Sequence, residues 1–207
     1  MLRSVANYVA DSDHETGLVG SEPWGKVQRM LVDEALRARR SIRSYQTREV
    51  PEDVVEEILD LTRHSPSAMN GQPWRFVVIR DPEIKSKLGE IKRDRCPDEK
   101  MAYAAGYLQY APLVVAICVE SSRSYDRLVE NGVLAAGYLM LAATARGLGS
   151  VYLSAYRDQD PDLAREISAL LELPDEILPI ALIPLGFADE KPPPKKLRPL
   201  SRMVTYV

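Results

Sequence analysis

Apolar residues recur at helical spacing in several segments of the chain. The first segment runs from about Pro23 to Arg40, with Ser21 as a candidate N-cap. Pro51, in a position suited to a first turn, opens a second amphipathic helix over EDVVEEILDLTRH. Further helices are predicted after a capping Asp81 and near residues 98–109, 128–146 and 161–171.

Shorter apolar runs predict strands at 74–80, 112–119, 150–155 and 178–186. APLVVAICV and ILPIALIPLGFA are the longest of these runs, and both are too short to cross a bilayer, so they indicate buried strands. Because strands and helices alternate, we expect a mixed α/β or α+β sheet covered by helices. SPSAMNGQPW, at 65–74, contains two prolines and an Asn-Gly pair and is predicted to be a loop.

Length and charge narrow the class of protein. A chain of 207 residues is long enough for one domain with a substantial core. Its net charge of −3 argues against a nucleic-acid partner bound through bulk positive charge. Cys96 and Cys118 are far apart in the sequence, which indicates two reduced thiols in a cytoplasmic protein. Two histidines alone cannot build a zinc site. The polar first 20 or so residues lack a secretory apolar core and predict an arm.

The segment RRSIRSY, at 39–45, concentrates positive charge in this acidic chain. It closes the first predicted helix and enters an extended stretch, where alternate residues face the same way, so Arg39, Ser41 and Arg43 share a face. Two guanidinium forks and a hydroxyl on one face suit a phosphate. Cations placed to favour a helix C-terminus are an equally good explanation of the same residues.

Two further segments carry candidate chemistry. Lys195, Lys196 and Arg198 lie in the extended tail PPPKKLRP, which is either solvated or converges with the first cluster on one phosphate. The loop at 65–74 offers the amides of Asn70 and Gln72, whose donor and acceptor edges suit a heterocycle such as a flavin. An Asx-type turn that feeds the next strand is the competing interpretation of this loop.

Several common motifs are excluded. GLGS, at 147–150, follows a predicted helix and lacks the third glycine, so it is not a dinucleotide-binding fingerprint. The chain contains no P-loop, no GxSxG and no HExxH motif.

Four segments, in the same order and with compatible spacing, resemble the nitroreductase family of flavin mononucleotide (FMN) oxidoreductases. They are RRSIRSY, SPSAMNGQPWRFVVIRD, ENGVLAAGYLMLAATARGLGSVYLSAY and IPLGFADEKPPPKKLRPLSRMV. The resemblance implies an α+β fold, with a central, mostly antiparallel sheet wrapped by helices, in an intertwined homodimer with flavin sites at the subunit interface. The expected organisation is an arm at 1–22 and one FMN-binding domain at 23–207.

The resemblance also implies which residues contact FMN. The phosphate would be bound by Arg39, Arg40, Ser41, Lys196 and Arg198, and Arg43 would lie near the N1/O2 edge of the ring. The opposite subunit would contribute Pro66, Ser67, Ala68, Asn70 and Gln72. The strand after GLGS would cover the ring near N5 through Leu153, Ser154 and Ala155. Many members have glycine where this chain has Ser154 and Ala155, and a frequent asparagine of the long helix is replaced by Tyr138.

The implied activity is hydride transfer from NADH or NADPH to FMN, and then reduction of a small electron-poor acceptor, a nitroaromatic or a quinone, by a ping-pong mechanism. Because the flavin carries the chemistry, no catalytic side chain and no metal is expected, with Ser154 as a candidate modulator. The alternatives are a reductive dehalogenase or flavin-fragmenting enzyme of the same fold, or a non-catalytic FMN-binding protein. No membrane partner is expected.

Overall fold

A computed structural model describes residues 30–96 and 105–207. The predicted arm, the first part of the first predicted helix and residues 97–104 lie outside the described residues. The helices are α1 (Val32–Ala38), α2 (Glu52–Thr62), α3 (Pro82–Arg93), α4 (Leu128–Ala145) and α5 (Pro161–Leu170). The strands are β1 (Trp74–Ile79), β2 (Leu113–Glu120), β3 (Gly149–Ser150), β4 (Leu153–Ser154) and β5 (Ile177–Gly186).

The strands form one antiparallel sheet in the order β1-β2-β5-β3, and β4 also pairs with β5. The central strands β2 and β5 are buried along almost their whole length, as expected for strands that are apolar on both faces. On one face the core joins the sheet to α2 and α4, and on the other it joins the sheet to α3 and α5. The predicted α+β fold with a mostly antiparallel sheet is confirmed.

Local capping explains where two of the helices begin. The side chain of Asp81 accepts hydrogen bonds from the backbone N–H groups of Glu83 and Ile84, at 2.8 and 3.0 Å, which confirms the predicted cap of α3. The side chain of Asp160 accepts from the N–H of Leu163 in the same way at the start of α5. Pro51 lies one residue before α2, at the N-cap, rather than inside its first turn.

Three predicted elements differ from the structure. The first helix ends at Ala38 because Arg39 adopts extended backbone angles and leads the chain to the sheet, where Ser41 bridges Ser150. The predicted strand at 150–155 is two short strands that pair with β5 in one continuous register, and the interruption falls opposite Pro184, which has no N–H to donate. The described part of the helix predicted at 98–109 is a 3-10 helix, Ala105–Tyr110.

The long apolar helix α4 is a core helix. By length and composition alone it could cross a membrane, but it packs against β2, β5 and α2, and its buried residues line the core. Its opposite face carries the exposed side chains of Val133, Leu134 and Tyr138. The helix is therefore apolar on both faces, and the described residues cover only one of them.

Close packing of α4 on β5 generates a stability prediction. A Cβ added at Gly132 would lie 2.6 Å from the side chain of Ile180, so we expect Gly132→Ala to lower the free energy of unfolding by about 1–3 kcal/mol, although alanine favours helix. Gly106→Ala is the matched control, since a Cβ there meets nothing within 4 Å. Urea unfolding measures both variants. Equal stability of Gly132→Ala and the parent protein would contradict this packing.

Candidate functional site

The arginine segment lies along the edge of the sheet after α1. Ser41 bridges Ser150, and the backbone N–H of Ile42 donates to the Ser150 carbonyl at 3.0 Å. The side chain of Ile42 is buried, whereas Arg39, Ser41 and Arg43 are half-buried. The alternation expected of an extended segment is therefore present, and the polar residues share the outer face.

The structure brings the tail to this segment through Lys195. The pKa of Lys195 is lowered, by desolvation first and then by the positive charges of Arg39 and Arg40. The guanidinium of Arg40 donates to the carbonyls of Arg37, Ala38 and Arg39, so Arg40 caps the end of α1. For Arg40 this agrees with the alternative interpretation, in which the cations stabilise the helix C-terminus. In the described part of the chain, Arg39 and Lys195 form no ion pair with a carboxylate. Lys195 of the tail thus lies near Arg39 and Arg40 of the first cluster.

Lys196 and Arg198, the tail residues that the resemblance implies, are exposed in the same extended segment. Their contact with a phosphate stays a prediction.

Glu190 is a residue of this site that the sequence did not single out. Its carboxylate accepts hydrogen bonds from the backbone N–H groups of Arg43 and Ser44. Two backbone hydrogen bonds of 2.9 Å, from Asp189 to the Ser44 carbonyl and from Gln46 to the Phe187 carbonyl, connect the same two segments. The chain that leaves β5 is thereby fixed to the arginine segment. An acidic residue between β5 and a basic tail was the only signal in the sequence.

Arg43 faces a buried aromatic hydroxyl. Burial raises the pKa of Tyr107, and the positive charge and hydrogen bonding of Arg43 oppose that rise. The Arg43 guanidinium therefore lies beside the Tyr107 hydroxyl. A guanidinium is a planar set of donors, which suits the polar edge of a ligand. The residues present therefore fit the pyrimidine edge that the resemblance assigns to Arg43.

The loop at 65–74 is held in a strained conformation. Met69, Asn70 and Gln72 have φ angles of 49°, 53° and 47°, which side chains other than glycine rarely adopt. The Ser67 hydroxyl accepts from the N–H of Gln72 at 3.0 Å, while the side chains of Asn70 and Gln72 are exposed. Strain of this kind persists only where the surroundings fix it.

Asn131, buried in the first turns of α4, provides part of that support. Its side-chain oxygen accepts from the N–H of Ala68 at 3.0 Å, and its side-chain nitrogen donates to the carbonyl of Ser124 at 3.1 Å. The Nε of Arg123 donates to the Gly71 carbonyl at 2.9 Å. The resemblance expects an asparagine in the long helix where this chain has Tyr138, and the asparagine of this helix that supports the loop is Asn131.

The register of the sheet separates this loop from the arginine segment. Trp74, directly after the loop, lies opposite Val119, whose partner on β5 is Leu178. Ser150, the partner of Ser41, lies opposite Leu185. From Leu178 to Leu185, β5 advances about 23 Å. Within one chain, the loop and the arginine segment therefore lie at opposite ends of the sheet.

β4 lies between these two ends. Ser154 lies opposite Ala181, and the backbone N–H of Ala155 donates to the Ile180 carbonyl at 2.9 Å. The side chains of Leu153 and Ala155 pack in the core, and the Ser154 hydroxyl donates to the Tyr156 carbonyl at 2.5 Å. A ligand over this strand would therefore meet mainly its backbone edge. A modulating role for the Ser154 hydroxyl stays a prediction.

Behind β4 lies a buried lysine. Lys92, in the last turn of α3, is 7% exposed, and its Nζ donates to the Ser154 carbonyl at 2.6 Å. Its pKa is lowered to about 8, by desolvation first and then by Arg157 and Arg95, while Asp160 and Cys96 act in the opposite direction. In the described region Lys92 forms no ion pair, since Asp160 pairs with Arg95 at 3.1 Å.

Comparisons with known proteins find similar sequences and similar folds. The family model described as the nitroreductase family matches residues 36–187. A relative from Methanothermobacter thermautotrophicus, named NADH dehydrogenase/NAD(P)H nitroreductase, is 36% identical over 170 residues, covering 81% of this chain and 83% of that protein. An iodotyrosine deiodinase of Thermotoga neapolitana is 29% identical over 180 residues, covering 80% of this chain and 92% of that protein.

A similar solved structure is an FMN-dependent nitroreductase from Clostridium difficile. It is 26% identical in sequence, with a TM-score of 0.69, and the match covers 78% of this chain and 90% of that one.

The pKa of Lys92 generates a prediction about stability and pH. Because the folded-state pKa, about 8, lies below the unfolded value of 10.5, the unfolded chain binds more protons between these pH values. We therefore expect the stability difference between the parent protein and Lys92→Met to shift in favour of the parent, by up to about 3 kcal/mol, as pH rises from 7 to 10.5. Urea unfolding across this range measures it. A difference that does not depend on pH would show that Lys92 titrates normally.

Proposed function

The chain belongs to the nitroreductase family, and from that premise we propose that it is an FMN-dependent oxidoreductase that takes hydride from NADH or NADPH and reduces a small electron-poor acceptor. The observation that carries the proposal is the nearness of Lys195 to Arg39 and Arg40, and among the described residues neither Arg39 nor Lys195 forms an ion pair with a carboxylate. The family resemblance assigns Arg39 and Ser41 to the flavin phosphate, and Lys195 directly precedes Lys196, a tail residue that it also assigns. The reduced cysteines favour a cytoplasmic location.

The phosphate would be held by charge and by short donors. Arg39 offers a planar fork and Lys195 a compact ammonium, and Lys196 and Arg198 follow in the same exposed segment. Like charges close together repel one another, so a dianion between them would remove that repulsion while it gains charge-assisted hydrogen bonds. Arg40 would contribute mainly through its charge, since its guanidinium caps α1.

The ring would lie toward Arg43 and β4. Bound FMN would supply the redox chemistry by accepting a hydride and passing electrons to the acceptor. Arg43 would place a positive charge at the pyrimidine edge, where it favours the negative charge of the reduced ring. The backbone edge of β4 would face N5. This arrangement requires no acidic or basic side chain at the reacting atoms.

A second copy of the chain would complete the site. The loop with Pro66, Ser67, Ala68, Asn70 and Gln72 lies at the far end of the sheet from Arg39, so it would reach a flavin from the opposite subunit. A cleft of about 550 Å³ between α1, α2 and α4 offers an apolar surface for this contact. Its lining includes Leu36, Leu61 and Tyr138, which are 51%, 40% and 42% exposed. Apolar surface that the described residues leave exposed beside α4 favours a homodimer.

A second candidate function is reductive dehalogenation, which the similarity to an iodotyrosine deiodinase favours. A non-catalytic FMN-binding protein is the remaining alternative, and flavin-fragmenting activity has no separate observation in its favour. Turnover separates these candidates. NADH or NADPH should bleach the bound flavin within seconds in an enzyme, and a nitroaromatic, a quinone and an iodophenol as acceptors distinguish the reductase from the dehalogenase.

The cation cluster generates a binding prediction. We expect Arg39→Ala to raise the dissociation constant for FMN about 10- to 150-fold, since a charge-assisted contact contributes about 1.5–3 kcal/mol. Arg37→Ala is the control, because it removes the same charge from the exposed face of α1. Quenching of flavin fluorescence on titration measures both variants. Equal affinities of the two variants would return Arg39 to the role of a helix-end cation.

The apolar face of α4 generates a prediction about assembly. Sedimentation at micromolar concentration should give twice the chain mass of 23.2 kDa. We expect Tyr138→Glu to shift the protein toward monomer and to weaken FMN binding with it. The control Tyr110→Glu replaces a tyrosine that is 70% exposed on the opposite layer. An FMN-loaded monomer of the parent protein would contradict the shared site.

A further inference from the structure

Lys92 is buried at a cost that packing alone does not explain. The residue is 7% exposed, and Asp160, an opposing charge that raises its pKa, is engaged by Arg95. Burying an ammonium without an ion pair is expensive, and a methionine or leucine would fill the same volume without that cost. The one strong contact of Lys92 in the described structure is the 2.6 Å hydrogen bond to the Ser154 carbonyl.

The direction of that carbonyl follows from the ladder between β4 and β5. Ala155 donates its N–H to Ile180, so Ala155 belongs to a hydrogen-bonded pair. Antiparallel pairs alternate, so the N–H and C=O of the preceding residue, Ser154, point away from β5 toward the outer edge of the strand. Lys92 binds the carbonyl on that edge, and the backbone N–H of Ser154 faces the same way.

We propose that Lys92 is a positioning residue of the cofactor site: it holds the Ser154 carbonyl and so fixes the outer edge of β4 in the orientation that presents the Ser154 N–H to the flavin. This inference rests on the proposed function. β4 has only two residues and is paired on one side, so its outer edge has little other support in the described structure. A hydrogen bond from a charged donor is the stronger kind, which suits this task.

Lys85 provides an internal comparison. It lies on the same helix, is also 7% exposed, and its Nζ donates to the carbonyls of Ala111 and Pro112 at 2.7 and 3.4 Å. Burial lowers its pKa as well. The hydrogen bonds of Lys85 thus connect α3 to the segment before β2, whereas the hydrogen bond of Lys92 connects α3 to β4. The two lysines share burial and chemistry, and only Lys92 contacts the strand assigned to the ring.

The test compares FMN dissociation constants of the parent, Lys92→Met, Lys92→Gln and Lys85→Met proteins by fluorescence titration at pH 7. We expect Lys92→Met to weaken binding about tenfold, because one oriented backbone contact is lost. Lys92→Gln keeps an N–H donor and should recover most of that loss, and Lys85→Met should bind as the parent does. Equal weakening by Lys92→Met and Lys85→Met, or no weakening by Lys92→Met, would overturn the proposal.

A pH profile decides the question even if Lys92→Met does not fold. The groups that face Lys92 are Arg95, Cys96, Arg157 and Asp160. We expect the parent to lose affinity about threefold as pH rises through 8, since a neutral amine is the weaker donor, while Lys92→Gln shows no such step. Cys96→Ser must retain the step, or the thiol is its source and the proposal fails. A parent protein that binds no FMN would instead refute the proposed function itself.

Discussion

The candidate functional site depends on the pairing between the segment that follows β5 and the segment that follows α1. Backbone pairing at residues 44–46 with 187–189, reinforced by the Glu190 carboxylate, fixes two segments that are more than 140 residues apart in sequence. This pairing directs the basic tail toward the arginine segment, where Lys195 lies near Arg39 and Arg40. The proposed anion site thus depends on tertiary pairing between segments that are distant in sequence.

The sequence predicted well the features that depend on local patterns. The apolar runs of β2 and β5, the long helix α4 and the Asp81 cap all depend on neighbours close in sequence, and they lie where expected. The shared face of Arg39, Ser41 and Arg43 also followed from strand alternation. The division of one predicted strand into β3 and β4 was not predicted, because it depends on which residue of β5 lies opposite, and that partner is Pro184, more than 30 residues later.

The residues that the sequence missed share a physical reason. Glu190 and Asn131 act through backbone groups of distant segments, and such partners leave no spacing pattern in the sequence. In the sequence, Lys92 is one of several cations in an amphipathic helix, where a lysine side chain is ordinarily expected to be exposed. Its burial depends on how β4 and the segment near Asp160 pack over α3. Distant backbone contacts of this kind become visible only once the chain is folded.

The distance that the sheet sets between the strained loop and the arginine segment has a consequence for regulation. If each chain supplies half of two sites, ligand occupancy and self-association are linked by mass action, and each strengthens the other. At low abundance the protein would then lose its ligand and its partner together, while ligand supply would promote assembly. The spacing of about seven residues along β5 would thereby make the fraction of active protein depend on its total concentration.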